Sequence, residues 1–408
     1  FVSFVAMIAG ALNTVKIYGT AATGQIAMNI ALIIGAILAS GFDDGKATVL
    51  AWFVLIGGFA QILVQIKPMK QSGFVLRPTI KFFTPLTRKL LRLMFPAVIG
   101  AAVYQISIFL NTLLASLLNE GSVSWLFYAD RLVQLPIGTF SVALATVLLP
   151  ALSKSWISGS SVEFAKNLTD ALRYTSFIVI PISFGLYFFA EPIVKVLFER
   201  GEFTSESTFQ TARAIEAFCF GMWGMSCHSM VVRGFLAMKD TKTPTYVAML
   251  MLFVGFISAI SLMGGIRIGS SGAIESFVEI LQQALYALPI IGTYIEGVSL
   301  GHAGLALGSS IGSTFGFICL VVFLRARNID VDWISVFSVV LKTIVASILM
   351  ILGLKVCAIS TLAPLKTVLL ACFLGPIIFV IACFILRLHE LKETFELFSR
   401  IASRRRNK

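Results

Sequence analysis

Apolar residues in this chain form long continuous runs rather than short amphipathic segments. Ten runs reach the roughly 20 residues that a helix needs to span a bilayer, and an eleventh, at 1–15, is a partial span. The ten complete spans are predicted at 22–41, 47–66, 93–118, 124–149, 172–198, 208–237, 244–265, 302–324, 334–356 and 367–387. A transmembrane β-barrel would instead show alternating segments of about 10 residues. The pattern predicts an all-α polytopic membrane protein.

Two connections between the predicted spans are longer than turns. Residues 153–171 mix apolar and polar positions at helical spacing, which predicts a helix lying on the membrane surface. Residues 266–301 contain the amphipathic stretch ESFVEILQQALYALPIIG, in which Pro289 and Gly292 are expected to end the helix. This second segment could lie on the outer membrane surface or cover the mouth of a cavity, and an insertion without either role is equally open.

Composition agrees with a membrane protein and adds an orientation. The chain is 58% hydrophobic and 13% charged with a mean hydropathy of +0.93, whereas soluble domains carry roughly 25% charged residues. The net charge is +12, and the connections on one side of the predicted spans hold 23 Lys and Arg against 6 on the other. Positive charge marks the cytoplasmic side, so the C-terminus is predicted to be cytoplasmic. The topology accounts for the charge without a nucleic-acid partner.

Asp130 and Arg131 are the most unusual residues of the predicted spans. An arginine at a helix centre costs about 2.5–3.5 kcal/mol on insertion scales, so Arg131 should face protein or water. It lies about seven residues, or ~10 Å, into the span 124–149. Adjacent helical residues point about 100° apart, so Asp130 and Arg131 need not pair with each other. Two interpretations stay open: an anion site in a hydrated cavity, or a salt bridge between helices.

The preceding span carries polar residues that could share such a cavity. Gln105, Thr112 and Asn111 fall within about one third of the helix circumference. A polar stripe of this kind lines a cavity or forms hydrogen bonds to a neighbouring helix, and the residues alone do not separate the two.

Enzyme chemistry is not indicated. The sequence contains no P-loop, GxSxG or HExxH motif, and its six cysteines are scattered without CxxC or Cys/His metal spacing. We therefore predict a protein that is not an enzyme and that holds no metal or other cofactor.

Several segments together resemble the bacterial lipid II flippases, the MurJ/MviN family of the MOP exporter superfamily. The most specific is SVSWLFYADRLVQLPIGTFSVALATVLLPALSK at 122–154. Others, in the order of the family, are GALNT at 10–14, LRPTI at 76–80, FPAVIGAAVYQISIFLNTLLASLL at 95–118, GEFT at 201–204, DTKTP at 240–244 and HAGLALGSSIG at 302–312.

The resemblance implies a two-lobe helical transporter with a central cavity, built from fourteen helices of which the last two form a groove for a lipid tail. It places Phe1 within the fourth helix, so the chain is expected to be N-terminally truncated. The implied divisions are the rest of the first lobe at 1–66, a basic cytoplasmic linker at 67–92, the second lobe at 93–324 with the extra outer segment 266–301, the final pair at 325–387 and a basic tail at 388–408.

The resemblance also implies a function. Lipid II, a polyprenyl pyrophosphate glycolipid, would cross the cytoplasmic membrane by alternating access, with a coupling ion or the membrane potential as driving force. Arg131 matches a cavity arginine of the family, whereas Gln134 stands where some members have Glu. Expected partners are lipid II, membrane lipids and cell-wall synthesis proteins. The alternatives are an exporter of another polyprenyl-linked glycan or of a drug, and a lipid-binding scaffold without transport.

Overall fold

The structure is a computed structural model. It describes the whole chain except residues 16, 18, 43, 75–83, 267–272, 288–298, 358–362 and 392–408. The described residues form helices joined by short turns, with no strand among them, which confirms the predicted all-α fold class. The chain divides into two compact units, Phe1–Leu91 and Arg92–Lys408.

The first unit contains three complete helices. They are α1 Val2–Thr14, α2 Gly19–Ala39 and α3 Lys46–Gln71. Helices α2 and α3 pack closely because Gly35 and Gly57 leave room for Phe53 and Met28 of the facing helix. Helix α1 packs on α3 through Ile8 and Leu12. The contact between α2 and α3 uses small residues, which is typical of helix pairs in membranes.

Helix α4, Pro85–Ser116, crosses the boundary between the units, and the remaining helices belong to the second unit. They are α5 Ser122–Pro136, α6 Val142–Ile157, α7 Ser161–Phe188, α8 Ala190–Phe198, α9 Ser205–Ala237, α10 Lys242–Met263, α11 Ala273–Tyr286, α12 His302–Ala326, α13 Trp333–Val356 and α14 Pro364–Ile385.

Every predicted span coincides with one of these helices or with two consecutive ones. Six helices in the described part of the chain are long and apolar enough to cross a membrane. They are α3, α7, α10, α12, α13 and α14. The total of ten complete spans stays a prediction, since the other segments coincide with helices that are shorter, interrupted or less apolar.

The predicted surface helix at 153–171 is wrong. Helix α6 continues to Ile157, and α7 begins at Ser161 and runs without a break into the next predicted span. The Ser160 hydroxyl accepts a hydrogen bond from the Glu163 amide and caps α7. The polar spacing in this stretch therefore reflects the exposed ends of two long helices with a tight turn between them.

The segment 266–301 does contain a helix, α11, which ends at Tyr286. Pro289 and Gly292, the residues expected to end it, lie outside the described residues. Val278 and Leu285 pack on the end of α10, and the Gln282 amide donates hydrogen bonds to the carbonyl oxygens of Ile260 and Gly264. Gln282 thus satisfies carbonyl groups that the end of a helix leaves without partners. The two proposed roles of this segment stay predictions.

Helix α12 packs against both α9 and α10, and the α10 side is formed by a row of glycines at every fourth position. These glycines are Gly304, Gly308, Gly312 and Gly316. A Cβ atom on Gly304 would lie 2.4 Å from the Leu262 carbonyl oxygen, and one on Gly308 would lie 2.6 Å from the Ala259 amide nitrogen. The backbones of α10 and α12 are therefore in direct contact, which only glycine permits at these positions.

The last two helices form a separate core with α7. Phe177 of α7 contacts Phe379 of α14, and Met350 of α13 belongs to the same buried cluster. Glu390 follows α14 along the chain and is buried. Its carboxylate accepts hydrogen bonds from Arg173 of α7, at 2.6 Å from Nη2 and 2.8 Å from Nε. This two-point bond fixes the chain that follows α14 to the α7 helix.

A charged cluster joins the α9–α10 turn to the end of α12. Asp240 accepts hydrogen bonds from the Lys242 amide, at 3.0 Å, and from the Thr243 hydroxyl, at 2.7 Å, and it pairs with Arg327. The Arg327 guanidinium also lies over the Phe235 ring. Burial raises the pKa of Asp240, but the bonds from Thr243 and Arg327 outweigh it and hold the pKa at about 2. The carboxylate is therefore charged wherever the protein is folded near neutral pH.

The glycine row makes a stability prediction. Gly308→Ala should destabilise the second unit by about 1–3 kcal/mol, because the added methyl group meets backbone atoms of α10 that cannot move aside. Gly185→Ala in α7 is the matched control, since no atom lies within 4 Å of its Cβ position. Thermal unfolding in detergent should show a lower midpoint for Gly308→Ala alone. Equal midpoints for the two variants would contradict the backbone contact.

The Asp240 cluster predicts a pH dependence. Since folding lowers the pKa of Asp240, its contribution to stability is complete above the unfolded value near pH 4 and is lost as the pH falls through about 2. Arg327→Gln should cost up to about 1 kcal/mol at neutral pH, because Arg327 is 36% exposed, and this deficit should shrink between about pH 4 and pH 2. Unfolding midpoints of Arg327→Gln and of the unchanged protein, measured across this pH range, test whether the deficit shrinks. Arg325→Gln, which removes an exposed arginine of the same helix end, should show no such trend.

Candidate functional site

The α5 helix begins at a tight turn and buries one face against α9. Gly121 precedes it with φ of 96°, and the Trp125 ring lies so close that a Cβ atom at Gly121 would be 2.6 Å from it. Ala129, Leu132 and Val133 are buried in the cluster that includes α9. Because these residues recur at helical spacing, the opposite face of α5 is left exposed.

Arg131 lies on that exposed face. Its guanidinium carbon is 4.8 Å from the centre of the Phe127 ring, one turn earlier on the same helix. Within the second unit, Arg131 forms no ion pair with the described residues. Stacking on an aromatic face orients a guanidinium without using its N–H groups, so these donors stay available to an anion. Among the described residues of the second unit, no salt bridge joins Arg131 to another helix.

Asp130 is half-buried and is bonded along its own helix. Its carboxylate oxygen accepts a hydrogen bond from the Gln134 side-chain amide at 3.5 Å, one turn further along α5. The two charged neighbours form no ion pair, and the angle between adjacent helical residues means that they need not do so. Glutamine at 134 suits this arrangement, because an ionised glutamate has no hydrogen to donate.

A wider turn interrupts the helix just after these residues. Ile137–Ser141 adopt a π-helical turn between α5 and α6. Pro136 lacks the amide that would bond the carbonyl group one turn back, and the Thr139 hydroxyl donates a hydrogen bond to the Leu135 carbonyl oxygen at 2.8 Å. Such π-turns occur often at functional sites. Arg131 therefore belongs to a helix that packs on α9 and that is interrupted six residues later by the π-helical turn.

The three candidate residues of α4 differ in their surroundings. Gln105 and Thr112 are both exposed, and the Thr112 hydroxyl donates to the Ile108 carbonyl oxygen at 2.8 Å. Asn111 is half-buried, and its side-chain amide donates to the Ser309 hydroxyl of α12 at 3.2 Å. Asn111 thus contributes a bond between helices, while Gln105 and Thr112 remain available at the helix surface.

Two residues around the site were not identified from the sequence. Phe127 could have been found, because its spacing of four from Arg131 places both on one helix face. Ser309 could not, because it lies 198 residues from Asn111 along the chain. Among the residues whose side chains are described, no group of three His, Cys, Asp or Glu lies close enough together to hold a metal ion.

Comparison with known proteins identifies the family. A family model described as "Lipid II flippase MurJ" matches residues 1–273. The lipid II flippase MurJ of Burkholderia cenocepacia is 31% identical over 333 residues, which cover 81% of this chain and 58% of that protein. The probable lipid II flippase MurJ of Buchnera aphidicola subsp. Acyrthosiphon pisum is 30% identical over 355 residues, which cover 87% of this chain and 63% of the relative.

A solved structure shows the same fold. "Lipid II flippase MurJ, inward closed conformation" superposes with a TM-score of 0.68 at 25% sequence identity, covering 94% of this chain and 70% of that one. The chain spans about three fifths of the length of the two curated relatives above. With the family model, the relatives and the solved structure in agreement, the chain belongs to the lipid II flippase MurJ family of membrane proteins.

Proposed function

We propose that this protein moves lipid II, the polyprenyl-pyrophosphate-linked precursor of peptidoglycan, across the bacterial cytoplasmic membrane. The observation that carries the proposal is Arg131, an exposed guanidinium on a membrane helix. It lies over the Phe127 ring and forms no ion pair with the described residues of the second unit. Membership of the MurJ family supports the choice of substrate. An unpaired arginine at this depth is costly unless it binds something.

The chemistry of lipid II matches this site. Its charged pyrophosphate and polar sugars cannot enter hydrocarbon without a polar route. Guanidinium binds phosphate oxygens through paired hydrogen bonds as well as charge, and it keeps its charge at any physiological pH. In the proposed cycle the headgroup enters a central cavity beside Arg131 while the polyprenyl tail remains in lipid. The two lobes then rock about the site, which is the general plan of alternating access.

The other candidate residues have supporting roles in this proposal. Asp130, bonded to Gln134, stabilises the helix surface next to Arg131 rather than touching the pyrophosphate. Gln105 offers its side-chain amide to the sugars, and Thr112 offers its hydroxyl oxygen as an acceptor, since its hydrogen is donated to Ile108. Asn111 offers its amide oxygen while its nitrogen is bonded to Ser309. No cofactor takes part, and the driving force is a coupling ion or the membrane potential.

The division of the chain follows from the same proposal. Residues 1–66 belong to the first lobe and 93–324 to the second, joined by the cytoplasmic linker 67–92. Residues 325–387 hold the tail groove between α13 and α14, and the basic tail 388–408 is cytoplasmic, as the charge distribution indicates. Membrane lipids and cell-wall synthesis proteins are the proposed partners besides lipid II.

Replacement of Arg131 tests the function. Arg131→Ala should weaken lipid II binding about 10- to 100-fold, since a charge-assisted contact contributes about 1.5–3 kcal/mol. The gene that encodes this chain, carrying the change, should fail to support growth of a bacterium depleted of its own lipid II flippase. Arg131→Lys should rescue in part, because Lys supplies the charge without the planar fork.

Lys166→Ala is the matched control, because it removes another exposed cation of a long helix, α7, which the proposal places neither beside Arg131 nor in the tail groove. It should grow like the unchanged gene at equal expression. Normal growth of Arg131→Ala at equal expression would overturn the role of Arg131. Transport of another polyprenyl-linked glycan in place of lipid II, in vesicles containing the purified protein, would overturn the substrate.

A further inference from the structure

The second unit contains a polar cavity that is distinct from the Arg131 face. It lies where α5, α9 and α12 begin and α10 ends, and its volume is about 270 Å³. Its polar lining includes Trp125, Glu206, Gln210, Arg213, Ser299 and His302. Pockets for drug-sized ligands span about 300–1,000 Å³, so this cavity suits a smaller molecule or one end of a larger one.

Hydrogen bonds hold most of the polar lining in place. The Gln210 side-chain amide donates to the Glu206 carboxylate at 2.6 Å, and the Gln210 carbonyl oxygen bonds the His302 Nε2 atom at 2.7 Å. The His302 ring lies against Trp125, with 5.0 Å between ring centres. These contacts connect the beginnings of α5 and α12 to α9 across the cavity. The Glu206 carboxylate already accepts a hydrogen bond from Gln210.

Arg213 also lines the cavity, but it lacks a contact of the kind that Glu206, Gln210 and His302 form. It is half-buried, yet it forms no ion pair with the described residues. Glu216, three residues further along α9, lies near enough to attract Arg213 but forms no ion pair with it. Partial burial is costly for a guanidinium that has no carboxylate in direct contact, because the attraction of Glu216 replaces only part of the lost water. An anion inside the cavity would remove that cost.

The surroundings favour an anion with a single charge and an apolar body. Helices α5 and α12 begin at the cavity without a side-chain cap, so their free amides add positive potential to that of Arg213. Glu206 would repel a doubly charged phosphate more strongly than a carboxylate. The Trp125 ring, with Leu118 and Met263, offers apolar surface for the rest of a small organic molecule.

We propose that this cavity binds a carboxylate group borne by a ligand of about the size of one amino acid residue. Arg213 holds the two carboxylate oxygens, and Trp125 packs against the apolar part of the ligand. The site is separate from the one proposed for pyrophosphate, and it does not rest on lipid II transport.

The test uses the purified 408-residue chain in detergent, with N-acetylalanine as the probe and N-acetylalaninamide as its uncharged match. Calorimetric titration should show saturable binding of the acid and at least tenfold weaker binding of the amide. Arg213→Gln should lower the affinity for the acid at least tenfold. Arg200→Gln, which removes an exposed arginine just after α8, should leave the affinity unchanged.

Two further measurements complete the test. The acid should change the tryptophan fluorescence of the unchanged protein, and Trp125→Phe should abolish that change. Thermal unfolding shows that each variant is folded, so lost binding is not lost structure. Equal affinity for acid and amide, unchanged affinity after Arg213→Gln, or displacement of the acid by sulfate at matched concentration would overturn the proposal.

Discussion

The packing of the second unit depends on direct backbone contact between α12 and its two neighbours. In a membrane the hydrophobic effect does not drive helices together, because lipid is as apolar as the side chains, so close approach and polar bonds must supply the association. Gly308 and Gly304 allow that approach to α10, while Gly221 of α9 allows it on the other side, where a Cβ atom would be 2.4 Å from Ser310. The same approach brings the Ser310 hydroxyl within 3.0 Å of the Ala217 carbonyl oxygen. Close packing and polar bonding therefore reinforce each other.

Polar side chains within the apolar helices are accommodated according to their size. Hydroxyl groups bond the carbonyl oxygen one turn back on their own helix, as Ser176 does with Leu172 and Ser347 with Thr343. Arginines cannot be satisfied in this way, because each carries five donors and a charge. Arg173 has the Glu390 carboxylate, whereas Arg131 lies over an aromatic ring and forms no ion pair with the described residues of the second unit. This difference marks Arg131 as available to a ligand.

Much of this arrangement could be predicted from the sequence, for identifiable reasons. Continuous hydropathy located the helices, because crossing a bilayer requires long apolar runs whatever the tertiary contacts. Helix geometry alone indicated that Asp130 and Arg131 need not pair with each other. Hydropathy could not resolve the junction at 158–160, since the polar ends of two helices resemble one surface helix. The Asn111–Ser309 bond joins distant parts of the chain, so only the folded structure could reveal which side of α4 faces α12.

The break after Arg131 affects how the site could move. Residues 122–136 are packed on α9, which the glycine contacts tie to α12, so Arg131 belongs to the rigid part of the second unit. Beyond the turn Ile137–Ser141, α6 packs mainly on α7 and α9 through Leu148 and Leu152. A change of bend at this turn would shift α6 relative to α5 and leave the contact of Ala129 with α9 intact. Arg131 would then stay in contact with a bound anion while α6 moved. Transport about a fixed site requires such an arrangement.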